Sequence, residues 1–290
     1  MLDSGTLSAL NLQFDLLTAK DLDEALRLST QAGWNQLPGD WQRLIDFTPE
    51  GCIAGRADGR LVATSTIATY GKDAHWLGMV LVDKECRGRG YGTAILAEAL
   101  RRAEALGSGA IGLDASDQGR PLYLKMGFAD VSPIDRWGGS MKAPAKEPPL
   151  EILSHATLDA VLALDRTACG ADRSRLLVHL AMERDVVGWV ATDSRGAAGY
   201  AILRPGRTCA HLGPIVAADP AHFESLLDAA ALYLNGAELL LDIPRTDQNS
   251  ALLAKRGVEI RRRLTRMTHR RAQPLLLGPG VRAAVSFELG

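Results

Sequence analysis

The hydrophobic pattern of the first half switches between strand-like and helix-like periods in a fixed order. Leu12 to Leu17 reads as a strand. Lys20 to Ala32 carries Leu22, Ala25 and Leu26 on one helical face, and a second short helix lies near Trp41 to Phe47. Gly51 to Ala57 and Leu61 to Thr69 are strands joined by Asp58-Gly59, a dipeptide suited to the left-handed backbone of a tight hairpin. Tyr70-Gly71-Lys72-Asp73 turns into an apolar strand over Ala74 to Val82, and apolar residues at helical spacing follow over Ala94 to Leu106. Ala110 to Ala115 is a strand, Pro121 to Met126 a short helix, and Gly127-Phe128 opens a last strand pair. The predicted order is β-α-α-β-β-β-α-β-α-β.

The run from Lys142 to Pro149, rich in proline and charge, breaks both periods and reads as a linker. The chain then divides into 1–142, a linker at 143–149, and 150–290. After the linker the same grammar restarts. Val161 to Cys169 and Ser174 to Met182 read as helices, and Val186 to Thr192 and Gly199 to Leu203 as strands around a Ser194-Arg195-Gly196 turn. Thr208 to Ala217 is a strand, Ala221 to Leu234 a helix and Glu238 to Ile243 a strand. The restart is an internal repeat. Asp117 to Phe128 aligns without gaps on Asp247 to Val258, with Asp, Gln, Leu, Lys and Gly in register. Leu113-Asp114 corresponds to Leu241-Asp242, and Leu77-Gly78 to Leu212-Gly213.

A chain of 290 residues with 47% hydrophobic content fills two cores of ordinary size. A formal net charge of −1 carries no nucleic-acid or membrane signature. The basic runs Arg261-Arg262-Arg263 and His269-Arg270-Arg271 alternate with apolar residues as the solvated face of a strand would. Cys52, Cys86, Cys169 and Cys209 are scattered without a C-x-x-C pair, which points to reduced thiols in the cytoplasm and away from zinc. No signal peptide is visible, and no apolar run approaches the length of a membrane span.

The chemistry concentrates between the strand ending at Val82 and the helix after it. Arg87-Gly88-Arg89-Gly90-Tyr91-Gly92-Thr93 places glycines at a helix start, where orphan N–H groups and the helix dipole favour an anion, most often phosphate. Gly88, Gly90 and Gly92 admit a close approach to the backbone, and Arg87 and Arg89 add positive charge. A dinucleotide loop needs G-x-G-x-x-G, and the third glycine here is misplaced. A nucleotide-hydrolase loop needs G-x-x-x-x-G-K-[ST], and no Lys-Ser or Lys-Thr follows. An ordinary glycine-rich turn is the plain alternative. The third phosphate pattern is Arg/Gln-x-x-Gly-x-Gly/Ala after a strand, filled by Arg87, Gly90 and Gly92. It resembles the pyrophosphate loop of the GNAT superfamily of acetyl-coenzyme A-dependent N-acyltransferases. Leu122-Tyr123-Leu124-Lys125-Met126-Gly127-Phe128 strengthens that resemblance, as do Gly33-Trp34-Asn35-Gln36, Leu113-Asp114-Ala115-Ser116 and Gly170-Ala171-Asp172-Arg173. Lys84 departs from the proline common at that position. The second repeat has Ala217-Ala218-Asp219-Pro220-Ala221-His222 at its equivalent loop, without glycine or arginine, and Leu253 in place of Tyr123.

The resemblance implies an α/β (α+β) protein of two tandem GNAT-like domains, each a mixed, mostly antiparallel sheet flanked by helices. The first would be catalytic and the second degenerate. It implies acetyl-coenzyme A as cofactor, its pyrophosphate on Arg87 to Thr93 and its pantetheine arm along the backbone of Val80, Leu81 and Val82. A backbone N–H near Met79 or Val80 would polarise the thioester carbonyl. Tyr123 would protonate the departing thiolate, with the helix start near Gly119 easing that transfer. Ser116 stands where many members have an asparagine near the cofactor. Candidate bases are Asp114, His75 and Glu50. Asp114 reads equally as a strand-end structural carboxylate, His75 as an exposed turn residue and Glu50 as surface. Trp34 and Asn35 are acceptor contacts, or else a packed tryptophan beside a capping asparagine. Asp172-Arg173 reads as a helix cap followed by a surface arginine. The implied activity is N-acetyl transfer to a small-molecule amine, without nucleic-acid or membrane partners, as a monomer or homodimer. The competing functions are a protein or peptide N-acetyltransferase and a non-catalytic acyl-coenzyme A sensor.

Overall fold

The computed structural model describes residues 11–72, 74–107, 109–269 and 275–290, so Asp73 of the predicted turn and Arg270 and Arg271 of the second basic run lie outside the described residues. The first half folds as β1 (Gln13–Leu16), α1 (Leu22–Gln31), α2 (Pro38–Phe47), β2 (Ile53–Ala57), β3 (Arg60–Tyr70), β4 (Ala74–Val82), α3 (Tyr91–Leu106), β5 (Ala110–Ala115), α4 (Arg120–Lys125) and β6 (Ala129–Gly139). This is the order that periodicity predicts. Asp58 and Gly59 form the β2–β3 turn with φ of 50° and 77°, both left-handed. The second half runs β7 (Glu151–Ile152), α5 (His155–Cys169), α6 (Ser174–Met182), β8 (Val187–Asp193), β9 (Gly196–Arg204), β10 (Ala210–Ala217), α7 (Pro220–Leu234), β11 (Leu239–Pro244), α8 (Asp247–Lys255), β12 (Glu259–His269) and β13 (Val281–Ala283). No helix among the described residues is long and apolar enough to cross a membrane.

The sheet is mixed and mostly antiparallel, and its path is β1-β2-β3-β4-β5-β12-β6-β11-β10-β9-β8-β7, with β13 on β10. The expected strand pair after Gly127-Phe128 is instead a single strand, β6, whose partners come from the second repeat. β12 lies between β5 and β6, and β6 pairs with β11. The two repeats therefore exchange their last strands, and each core is completed by the other's residue. Met267 of β12 packs with Ile95, Leu113 and Phe128, while Trp137 of β6 packs with Leu241, Leu253 and Val258. Burying large apolar side chains this way stabilises by roughly 1.5–3 kcal/mol each.

Two buried ion pairs fix the exchange. Arg266 on β12 faces Asp114 on β5 in direct register and makes two contacts of 2.8 Å. Arg136 on β6 faces Asp242 on β11 with two of 2.7 Å. Each guanidinium also lies over an aromatic ring, Arg266 on Trp76 at 4.3 Å and Arg136 on Phe287 at 4.2 Å. Removing one member of such a pair strands a buried charge. Arg266→Met should therefore destabilise the protein by about 3–5 kcal/mol, and adding Asp114→Asn should recover part of that. Urea unfolding of the single and double variants checks both effects.

Candidate active site

One large cavity, of about 590 Å³, opens where β4 and β5 part. These strands pair only through Ala74–Trp76 and Ala110–Gly112, so the β5-facing edge of β4 carries no ladder beyond them. A bulge helps to set the splay. On the β3 side, Thr64 faces Leu81 and Thr66 faces Gly78, leaving an extra residue on β4. Met79 takes φ 47° there, and the Thr64 hydroxyl donates to its carbonyl at 2.8 Å. Val80, Leu81 and Val82 line the cavity and lead to the glycine loop.

At the loop, Arg87, Gly88, Gly90, Tyr91 and Gly92 line the cavity mouth. Gly88 and Gly90 have φ of 76° and 88°, so glycine is demanded at both, while Gly92 has no such constraint. Gly90 is the N-cap of α3 and supplies no side-chain acceptor. The first N–H groups of a sixteen-residue helix are thereby left for an anion. Arg87 and Arg89 are exposed and form no ion pair among the described residues; Arg87 Nε donates to the Val82 carbonyl at 3.3 Å. Arg89 and Thr93 are not in the cavity lining.

Tyr123 lines the inner part of the cavity, its ring set edge-on to Phe128 at 6.0 Å. Its hydroxyl makes no hydrogen bond among the described residues. Burial pushes the phenol up to about 12, with Arg262 opposing the shift. The expected easing by the helix start near Gly119 is thus outweighed by desolvation. Ser116 holds the turn into α4 while lining the cavity: its Oγ and carbonyl accept from the Gly119 N–H at 3.2 and 3.0 Å, and its carbonyl accepts from Arg120 N–H at 2.8 Å. A phenol held at about 12 keeps its proton throughout the neutral and mildly alkaline range. Tyr123 should therefore impose no alkaline fall in kcat below about pH 11, which a pH–rate profile tests.

Several predicted roles change. Asp114 is not free to act as a base, because both carboxylate oxygens are held by Arg266 and neither side chain is exposed. His75 is no turn residue. It is fully buried in β4, its Nδ1 3.2 Å from Thr69 Oγ1, and it does not line the cavity. Asn35 is consumed structurally. Its Nδ2 donates to the Cys209 carbonyl at 2.9 Å, and its Oδ1 accepts from the Thr208 backbone and hydroxyl at 2.8 and 2.7 Å. It ties the repeats together, whereas its neighbour Trp34 does line the cavity. Glu50 is exposed away from the cavity. Arg173 is buried, with Asp165 at 2.6 Å, rather than on the surface, while Asp172 accepts from the Ser174 N–H at 3.0 Å. In the basic run, Arg261 and Arg263 are exposed but Arg262 turns to the cavity. Arg136, Arg262, Leu264, Phe287 and Glu288 complete the cavity wall, and sequence reasoning singled out none of them for the site.

An acetyltransferase (GNAT) family model matches residues 19–128, and an acetyltransferase (GNAT) domain model matches residues 161–276. The two segments are the two repeats. The chain is a tandem member of the GNAT family. Its relatives include the holothin acyltransferase of Pseudoalteromonas sp. (strain SANK 73390), 25% identical over 89% of this chain and 87% of that protein. The uncharacterized N-acetyltransferase YitH of Bacillus subtilis (strain 168) is 30% identical over 53% of this chain and 55% of that protein. An acetyltransferase-type structure from Pyrococcus horikoshii superposes with a TM-score of 0.82 at 21% identity, covering 97% of this chain and 96% of that one. A tandem GNAT protein from the clavulanic acid biosynthesis pathway gives 0.65 at 18% identity over 89% and 98%.

The two GNAT copies treat the same cleft in opposite ways. In the second, β10 and β11 pair only at Ala210–His211 and Leu239–Leu240, so a splay opens there too. It is filled by the chain itself: β13 pairs with β10 at Ile215 and Val216, and Ala217 N–H donates to the Gly280 carbonyl at 3.0 Å. The helix start is also self-satisfied. Asp219 caps α7, accepting from the His222 N–H at 3.0 Å. A carboxylate thus occupies the place where the first GNAT copy offers bare N–H groups.

Proposed function

We propose that this tandem GNAT is an acetyl-coenzyme A-dependent N-acetyltransferase that transfers directly to a small-molecule amine within a ternary complex. Residues 1–142 carry the donor site, and 150–290 form a degenerate copy that walls the acceptor side. The observation that carries the reading is a single cavity joining the glycine loop, the open edge of β4 and Tyr123. The donor fits what these residues offer. Orphan N–H groups and the arginines suit a pyrophosphate, and the unladdered edge at Val80–Val82 suits an amide-bearing arm. Acetyl-coenzyme A would supply the activated thioester. The chain's part is to orient it, to polarise its carbonyl with an N–H at the Met79 bulge, and to return a proton to sulfur from Tyr123.

A small acceptor is favoured because Leu264 and Phe287 of the second repeat wall the cavity beside Tyr123. The relative named for holothin, matched along most of its length, supports the same choice. Four unpaired cysteines support a cytoplasmic setting. The test is thiol release from acetyl-coenzyme A across amino acids, amino sugars, polyamines and aminoglycosides. Turnover on one class is expected. Silence with acetyl-coenzyme A still bound would favour a macromolecular acceptor or a sensor, and silence without binding would overturn the donor site.

A further inference from the structure

The segment 281–290 threads both clefts. Val281–Ala283 fills the second, and Ala284 N–H donates to the Asp242 carbonyl at 2.9 Å. Further on, the Phe287 carbonyl accepts from Trp76 Nε1 at 2.9 Å and the Leu289 carbonyl from the Tyr70 hydroxyl at 2.6 Å. Glu288 sits between these two anchors, against Gly78. A Cβ at Gly78 would lie 2.5 Å from the Glu288 carbonyl, so glycine is required there for the close approach.

Glu288 is 6% exposed, yet its carboxylate has no hydrogen bond or ion pair among the described residues. The other buried carboxylates are all paired: Asp21 with Arg56, Asp40 with Arg43, Asp83 with Arg27, Asp135 with Arg245, Asp165 with Arg173 and Asp242 with Arg136. Arg136 and Arg204 lie near enough to feel its charge, but neither hydrogen-bonds it, which leaves the carboxylate oxygens open to a cationic ligand in the cavity. Glu288 lines the same cavity as Tyr123 and the Met79 bulge. Behind it lies a polar chamber of about 20 Å³, in which Gln36 Oε1, Arg204 Nε, His211 Nε2 and Ser286 Oγ have no hydrogen-bond partner among the described residues. That is room for one water with several polar neighbours.

We propose that Glu288 receives the acceptor ammonium and takes its proton ahead of transfer, an inference that rests on the acyltransferase reading above. The amine nitrogen bonds to the thioester carbonyl carbon as the C–S bond breaks. Before that attack one ammonium proton passes to the Glu288 carboxylate and on to water, which frees the nitrogen lone pair; the Tyr123 proton then goes to sulfur, and the second nitrogen proton returns to the tyrosinate. The acceptor class is a primary amine that is cationic when it binds.

The experiment compares the full chain with Glu288→Gln and Glu288→Asp. Coenzyme A binding is measured by calorimetry. Binding of ethanolamine, glycinamide, putrescine and benzylamine is then measured on the coenzyme A-loaded protein, and their acetylation with acetyl-coenzyme A. The proposal expects at least one amine to bind. Glu288→Gln should lower kcat/KM for that amine by about 100-fold or more with coenzyme A affinity unchanged, and Glu288→Asp should retain part of the activity. It also expects Glu288→Gln to stay folded, since the carboxylate makes no hydrogen bond that the amide would lose. Undiminished turnover, or no amine binding to the loaded wild type, would overturn it. Failure of the wild type to bind coenzyme A would overturn the donor reading instead.

Discussion

Tyr123→Phe should lower kcat by about 10²–10⁴-fold while leaving coenzyme A affinity unchanged. The ring is what packs: it meets Phe128 edge-on, and it lies so close to Gly119 that a Cβ there would be 3.0 Å from it. Phenylalanine preserves both contacts and deletes only a hydroxyl that has no hydrogen-bond partner among the described residues. The variant should therefore fold and bind normally and fail at release of the thiolate. A phenol held at about 12 is a weak donor at rest. In the proposed reaction it would transfer its proton as charge develops on sulfur, with Arg262 placed to steady the resulting phenolate. Thiol release at saturating donor and acceptor measures the loss. Unchanged kcat would remove Tyr123 from the chemistry.

Gly90→Asp should weaken coenzyme A binding by about 100-fold or more. The substitution installs in the first copy the cap that the second already has in Asp219. Its carboxylate would accept from the N–H groups at the start of α3 and place negative charge where a pyrophosphate would bind. Part of the effect is backbone strain, since φ at Gly90 is 88° and a side chain there costs about 1 kcal/mol. Gly90→Ala isolates that part and should bind several-fold less weakly than Gly90→Asp.

The order of elements was legible because each is set by a local period or turn. The hairpin at Asp58-Gly59 and the start of α3 after Gly90 follow from residues within a few positions. The strand exchange was not legible, because pairing β12 with β5 is a choice between distant partners that leaves no local period. A signal did exist. Arg136 and Arg266 stand at the same offset as Asp117 and Asp247, and Arg136 meets Asp242 of the second repeat while Arg266 meets Asp114 of the first. Reading that pair would have removed Asp114 from the list of bases. Arg262 was hidden in a run of three arginines, of which its neighbours do face solvent. Glu288 lies in a segment without periodicity, and its place in the cavity comes from the threading of 281–290 past Gly78.

The central claim is a single acyl-donor site, in the first copy, with the second closed by β13 and Asp219. Calorimetric titration of coenzyme A into the full chain and into Gly90→Asp tests it most directly. The account predicts one site per chain in the wild type and none in the variant at the same concentrations. Two sites per chain, or one site that survives Gly90→Asp, would contradict it.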